Sequence, residues 1–320
     1  MTIKGAIKSI GANFLSSTGI LDSLWNKDPS WRILMYHRVC KPEELSNPIQ
    51  AGMYVRPETF RMHCDFLRKN SNVILIDDLI QKLLNKEKLP KRAVAITFDD
   101  GWKDNLENAF PLLKSAGLPA TVFLPTDFVD TARLFWTDKI ARVLALTPEE
   151  FSKYPQFLNS QIRSPEEKLE SILTYLFSLG LKEREQLTQE LTKNSQPNNE
   201  REFLTWDEVS TLESLGIKVG SHSHTHRLFK ELSKEERINE LKQSREVLKA
   251  RSLLTSNVFV FPGGSHTAEM GVECQDTNYL ASLKTSRNYN SGSSIFPRVG
   301  IHEDISKSEN LLKYRICFQS

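Results

Sequence analysis

Four cysteines in 320 residues, Cys40, Cys64, Cys274 and Cys317, form no CxxC pair and no zinc-ribbon spacing. A disulfide framework and a cysteine-ligated metal are therefore not expected, and free thiols fit a reducing compartment. Charge of one sign is also lacking: 42 Lys plus Arg face 40 Asp plus Glu, so no whole-chain field draws the protein to nucleic acid. No uncharged apolar run reaches the roughly 18 residues of a transmembrane helix, and the amino terminus lacks the apolar core and cleavage site of a secretory signal. A cytoplasmic location is the expectation. Internal repeats and low-complexity tracts are missing as well, although 193–200 is polar enough to read as an exposed loop.

What is present suits a globular chain. With 39% hydrophobic and 26% charged residues, it can bury a large core. Residues 1–30 stand apart as an amphipathic helical region: Ile3, Ala6, Ile7, Ile10 and Phe14 share a face, Lys4 and Lys8 lie off it, and Ile20, Leu21, Leu24 and Trp25 follow. Two readings of 3–25 stay open, packing on its own domain or peripheral contact with the inner face of a membrane.

From 31 to 320, strand-like runs alternate with helical periods. Strands are expected at 33–36, 73–76, 93–98 and 120–124, with helices opened by Pro57, spanning 77–86, and ending at Gly117. Such βαβ units build parallel sheets or barrels. Between about 128 and 202 the strand signal stops, and Ser164 and Glu167 read as a capping box before Leu169, Ile172, Leu173 and Leu176, which marks a helical insertion resembling a lid or wall. Strands return at 217–220 and 258–261, around a helix capped by Ser233 and Glu236.

Two stretches carry chemistry. ITFDDGW, 96–102, ends a buried strand on two adjacent carboxylates, whose repulsion calls for a solvated turn or a site that uses negative charge. VGSHSHTHRL, 219–228, sets His222, His224 and His226 at a strand end, and the alternation of His with Ser and Thr has no evident packing rationale. Imidazole is the commonest zinc ligand, and an open zinc site usually has three protein ligands. One aspartate from the end of a neighbouring parallel strand would complete two histidines, leaving the other to act as a base.

TFDDG at 97–101 followed by HSHTH at 222–226 resembles the first two motifs of the polysaccharide deacetylases, the NodB-homology carbohydrate esterases. ILMYHRV at 33–39, LTWDEVSTLESLGIKVGSHSHTH and the closing FPRVGI are similar to the branch of that family associated with exopolysaccharide synthesis. The resemblance runs from about Arg32 to His302. It implies a distorted (β/α)7 barrel, here with a helical insertion, and hydrolysis of the N-acetyl group of an amino sugar in a polysaccharide or lipid-linked glycan precursor. By matching positions it makes Asp99 the general base and Asp100, His222 and His226 the ligands of a divalent metal. Zinc is the first expectation, and cobalt or nickel also suit a His2Asp set. His224 falls on a variable position of the motif.

The sequence departs from the family at the third motif. FVFPGGSH, 259–266, has no Arg close before Pro262 and Gly263 in place of an aromatic residue. Arg298 in FPRVGI is the candidate for orienting the base, with a purely structural ion pair as the other reading. The family's late Leu-x-x-His motif is not recognisable, so His37, at a strand's carboxyl end, is the leading general acid, ahead of His266 and His302. His63 falls on the apolar face of a helix and reads as buried structure. Trp102, Trp136 and Trp206 offer rings either to a sugar or to packing, and Asp138 and Lys139 start a helix near the mouth. A glycan-binding protein on the same barrel without turnover is the alternative function.

Overall fold

The computed structural model describes residues 11–12, 14–26, 31–45, 49–50, 52–157, 164–195, 200–253, 255–285 and 293–317. Strands β1 (Trp31–Tyr36), β2 (Ala93–Phe98) and β3 (Ala120–Leu124) are buried along their whole length, as strands covered on both faces must be. With β4 (Ile217–Ser221), β5 (Val258–Val260), β6 (Ala281–Lys284), β7 (Ile295–Pro297) and β8 (Val299–Gly300), they form one parallel sheet in the order β7-β6-β5-β4-β3-β2-β1-β8. Its two ends meet in a single stretch of chain. β7 pairs with β6 and β8 pairs with β1, with Arg298 alone between them, so 295–300 runs from one edge to the other and closes the barrel. Counted as one strand, this closing stretch brings the described strands of the ring to seven, the number the family resemblance implied. Closure leaves the ring no long open edge.

The period of two along each strand sorts the side chains into two cores. Leu34, Ile96, Val122 and Val219 pack under the outer helices. Ile33, Ala95, Phe123, Val260, Leu283 and Phe296, drawn from strands around the whole ring, meet in the interior. Helix α3 (Ile76–Leu84) adds Ile76, Leu79 and Ile80 to that inner cluster. Continuing the inward register in steps of two to the first residue past each strand's end reaches His37 from Ile33, Asp99 from Ala95 and Arg298 from Phe296. The alternation that packs the core thus also aims these side chains at the barrel's carboxyl-end mouth.

Outside the ring lie α2 (Pro57–Asn70), α4 (Phe110–Ala116), α8 (Trp206–Thr211), α9 (Lys234–Ala250), α10 (Ala268–Asp276) and α11 (Glu309–Cys317). The expected helical insertion is present as α5 (Trp136–Leu146), α6 (Pro165–Ser178) and α7 (Leu181–Thr192). Ser164 caps α6 by accepting a hydrogen bond from Glu167 N, and Ile140, Val143, Phe151, Ile172, Leu176 and Leu191 give the insertion a core of its own. The strand expected at 73–76 is shorter: Asn72–Val73 pairs with β2, and Ile76 already belongs to a helix that uses it to cover the inner core.

Of the amino-terminal region, Ile3, Ala6, Ile7 and Ile10 lie outside the described residues. α1 (Ile20–Trp25) buries Leu21 and Trp25, and the Trp25 ring stacks on Phe66 with centroids 5.4 Å apart. Phe14 and Ile20 are turned outward, 65% and 41% exposed. No helix among the described residues is long and apolar enough to cross a membrane. All four cysteines are free, as expected.

Candidate metal centre and its surroundings

The turn after β2 sets the two aspartates apart. Asp100 has φ of +73° and Gly101 +69°, so the chain reverses sharply and neighbouring carboxylates point to different partners. Gly101 suits this positive φ, and a Cβ there would lie 2.5 Å from Leu124 Cδ2, so any other residue would also have to move the Leu124 side chain. Asp99 continues the inward register. Asp100 turns sideways toward the histidine loop.

Asp100 Oδ1 lies 3.4 Å from His222 Nε2 and 3.2 Å from His226 Nε2. One ligand atom from each of the three residues falls within 4.8 Å of the others. His222 Nδ1 lies 2.9 Å from the Val260 carbonyl, which can only accept, so this nitrogen carries the proton and Nε2 offers its lone pair to the cluster. Two imidazole nitrogens and one carboxylate oxygen on a buried turn are a donor set that suits a zinc-type divalent ion and leaves an open position. Burial pushes the Asp100 carboxyl up, but the adjoining His222 and His226 rings prevail and hold it well below the usual range. Burial likewise pushes His222 down, and the negative charge of Asp99 and Asp100 more than offsets this.

The histidine loop is held by hydroxyls. Ser221 Oγ accepts from Ser223 N, Ser223 Oγ accepts from His226 N at 3.0 Å, and Ser223 and His226 both take positive φ. Glu240 of α9, almost fully buried, accepts from the backbone of His224 and Thr225, each at 2.8 Å, and from the Thr225 hydroxyl at 2.5 Å. The alternation of His with Ser and Thr therefore does have a structural rationale, contrary to the sequence reading: the intervening residues tie the turn that presents the rings. His224 points away from the cluster, its Nδ1 2.8 Å from Thr126 Oγ1. Glu240 gave no signal in the sequence beyond being an acidic residue beside the apolar stripe of its helix.

Asp99 stands outside the ligand set. Arg298, fully buried, donates from Nη1 to Oδ1 at 2.7 Å and from Nη2 to Oδ2 at 2.6 Å. Burial raises this carboxyl, and Arg298 and then His222 bring it below its ordinary value. His37 Nε2 lies 4.0 Å from Asp99 Oδ2 with its side chain 17% exposed, so it faces the same mouth. All six residues singled out by sequence for the site are therefore neighbours. His266 bonds the Gly264 carbonyl and stacks near Phe261, and His302 sits beside Asp304, so neither joins them. His63 is buried between Tyr36 and the Ser306 carbonyl.

Trp102 is not available to a sugar. It is 2% exposed, and its Nε1 donates to Asp100 Oδ2 at 3.0 Å, which leaves Oδ1 for the histidines. Its ring stacks on Phe203 at 4.6 Å, and the Arg38 guanidinium lies 4.3 Å from its centre. Arg38 is held in turn by Asp104 and Glu202, each at 2.6 Å. Trp206 packs against Arg251. Asp138, in the first turn of α5, accepts from Gln50 at 3.0 Å, and burial pushes its carboxyl up to about 7 against that bond.

The sequence model for Polysaccharide deacetylase matches residues 86–281. A putative polysaccharide deacetylase of Bacillus subtilis, YxkH, is 34% identical over 93 residues, 29% of this chain and 30% of the relative. The poly-β-1,6-N-acetyl-D-glucosamine N-deacetylase of Staphylococcus aureus strain MSSA476 is 32% identical over 124 residues, 36% of this chain and 43% of the relative. The matches thus span 30% to 43% of these curated relatives' length. Among solved structures, the Streptococcus pyogenes deacetylase PplD aligns with a TM-score of 0.58 and 19% identity, covering 88% of this chain and 96% of that one. IcaB from Ammonifex degensii aligns with a TM-score of 0.58 and 16% identity over 90% and 97% of the two chains. The two solved structures share the fold, and with the family model covering more than half of its length the chain belongs to the polysaccharide deacetylase family.

Proposed function

We propose that the protein is a metal-dependent hydrolase that removes the acetyl group from an N-acetylated amino sugar of a polysaccharide or lipid-linked glycan. The observation that carries this reading is the division of labour at the mouth: Asp100, His222 and His226 converge, while Asp99 beside them is kept ionised by Arg298 and off the cluster. The three residues would hold a divalent cation, zinc first and cobalt or nickel as alternatives, which would act as a Lewis acid on the acetyl carbonyl and lower the pKa of water. Asp99 takes the proton of the attacking water, and the Arg298 fork fixes its orientation and keeps it basic. The water oxygen bonds to the acetyl carbon, the C–N bond breaks, and the leaving nitrogen receives a proton from His37. Acetate and a free amine result.

The staphylococcal relatives are named for poly-β-1,6-N-acetyl-D-glucosamine, which makes β-1,6-linked N-acetylglucosamine oligomers the first substrate to try. The test is acetate release from these oligomers before and after chelation. Release that stops on chelation and returns with zinc supports the reading. Tight binding of the oligomer with no release, metal present, would replace it with the glycan-binding alternative.

A further inference from the structure

A cavity of about 340 Å³ opens beside His226, between helix α7 of the insertion and the loop after the histidines. Ligand pockets run from roughly 300 to 1,000 Å³, so the volume suits a small group. The wall from α7 is unusual. Leu181, Arg184, Glu185, Thr188, Gln189 and Thr192 recur at helical spacing along this wall, with Arg184 and Thr188 buried and Glu185 and Gln189 exposed at its rim, whereas the buried positions of a helix are normally apolar. Here five of the six are polar or charged.

Two buried polar atoms in the wall have no partner among the described residues: Thr188 Oγ1, on a residue only 7% exposed, and Arg227 Nε. Such atoms are destabilising unless something bonds them. The opposite wall is aromatic. Phe135 lies on the His226 ring, centroids 4.0 Å apart, and Trp136 stands next to it. Arg184 forms a two-pronged ion pair with Glu231 and lies over Trp136, which bolts α7 to the histidine loop and makes the cavity a formed one.

The charges lining the cavity nearly balance: Lys139, Arg184 and Arg227 face Glu185 and Glu231, and Arg227 also pairs with Glu236 just outside. A polyanion gains little there, and an acyl chain would leave the buried Thr188 hydroxyl unbonded. A neutral ring with an apolar face and a hydroxyl edge fits both walls. We infer that this cavity binds a second hexopyranose of the same glycan, next to the sugar whose acetyl group faces the metal centre. This rests on the deacetylase reading for the identity of the chain, but the binding can be measured without turnover.

The test is calorimetric titration of the full-length, zinc-loaded Asp99→Asn protein, which does not turn the sugar over, with the tetramer of β-1,6-linked N-acetylglucosamine and with the monosaccharide. Two variants accompany it: Thr188→Val, which removes the unpartnered hydroxyl at constant shape, and Gln189→Trp, which fills the cavity from its exposed rim. Tetramer affinity is expected to fall about fivefold in the first and at least about tenfold in the second. With Asp99 intact, the ratio of kcat/KM for tetramer over monosaccharide should fall in parallel, through KM. Melting temperatures guard against misfolding. Unchanged tetramer affinity in folded Gln189→Trp, or an equal loss for tetramer and monosaccharide, would overturn the inference. If no protein form releases acetate, the deacetylase reading fails, while selective loss of tetramer binding would still establish the cavity as a sugar site.

Discussion

Trp102 shows how a single side chain can serve packing and chemistry at once. Its ring is buried between Phe203 and Arg38, and its N–H fixes which oxygen of Asp100 is left for the histidines. Trp102→Phe should keep the stack and lose the hydrogen bond. Groups that orient metal ligands typically contribute about 10–100-fold in metal affinity. We therefore expect zinc affinity, measured by competition with a chromophoric chelator, to weaken by that order with little change in melting temperature. Unaltered affinity would make Trp102 a packing residue only. The cluster was legible because two short stretches, TFDDG and HSHTH, put its three members at strand ends in positions that resemble the family's motifs. The sequence did not reveal Trp102 or Glu240, because their roles depend on which atom of a common side chain faces which neighbour across the fold.

At the level of the element, α2 meets the ring through His63. Tyr36 Oη lies 3.2 Å from Nδ1 and the Ser306 carbonyl 2.7 Å from Nε2, an arrangement that the neutral ring with its proton on Nε2 satisfies. Burial lowers its pKa from 6.5 to about 4, with the Ser306 bond opposing. A folded-state pKa below the unfolded one means the unfolded chain binds the proton first as pH drops. Stability from this group is thus full above about pH 6.5 and is lost as pH falls toward 4, by up to about 3 kcal/mol. Denaturant melts across that window should show the loss, and His63→Gln should flatten it. An equally steep fall in His63→Gln would assign the acid sensitivity to other groups. The helices and strands themselves were readable from periodicity, with errors at ends such as 73–76, where the sheet needed only two residues and the inner core needed Ile76 on a helix.

The whole molecule ties its closure to its chemistry. Arg298 is the residue between the two strand pieces that seal the ring, and both its terminal nitrogens hold Asp99. Arg298 in FPRVGI was the sequence's candidate partner for Asp99, but nothing local announces the closure, which joins strands more than 200 residues apart in sequence. Removing the arginine would strand a buried carboxylate. Arg298→Met should cost about 3–5 kcal/mol by denaturant unfolding, and adding Asp99→Asn should recover part of it, because the charge left unpaired is then gone. Additive losses in the double variant would mean the two residues are not coupled.

The central claim is that the adjacent aspartates are split, Asp100 holding a metal and Asp99 acting on water. Zinc content of the purified protein by elemental mass spectrometry, for wild type, Asp99→Asn, Asp100→Ala and His222→Ala, tests this most directly. The account predicts about one equivalent in wild type and in inactive Asp99→Asn, and a large loss in the other two. Equal metal loss in all three variants, or no metal in wild type after reconstitution with zinc, would contradict it.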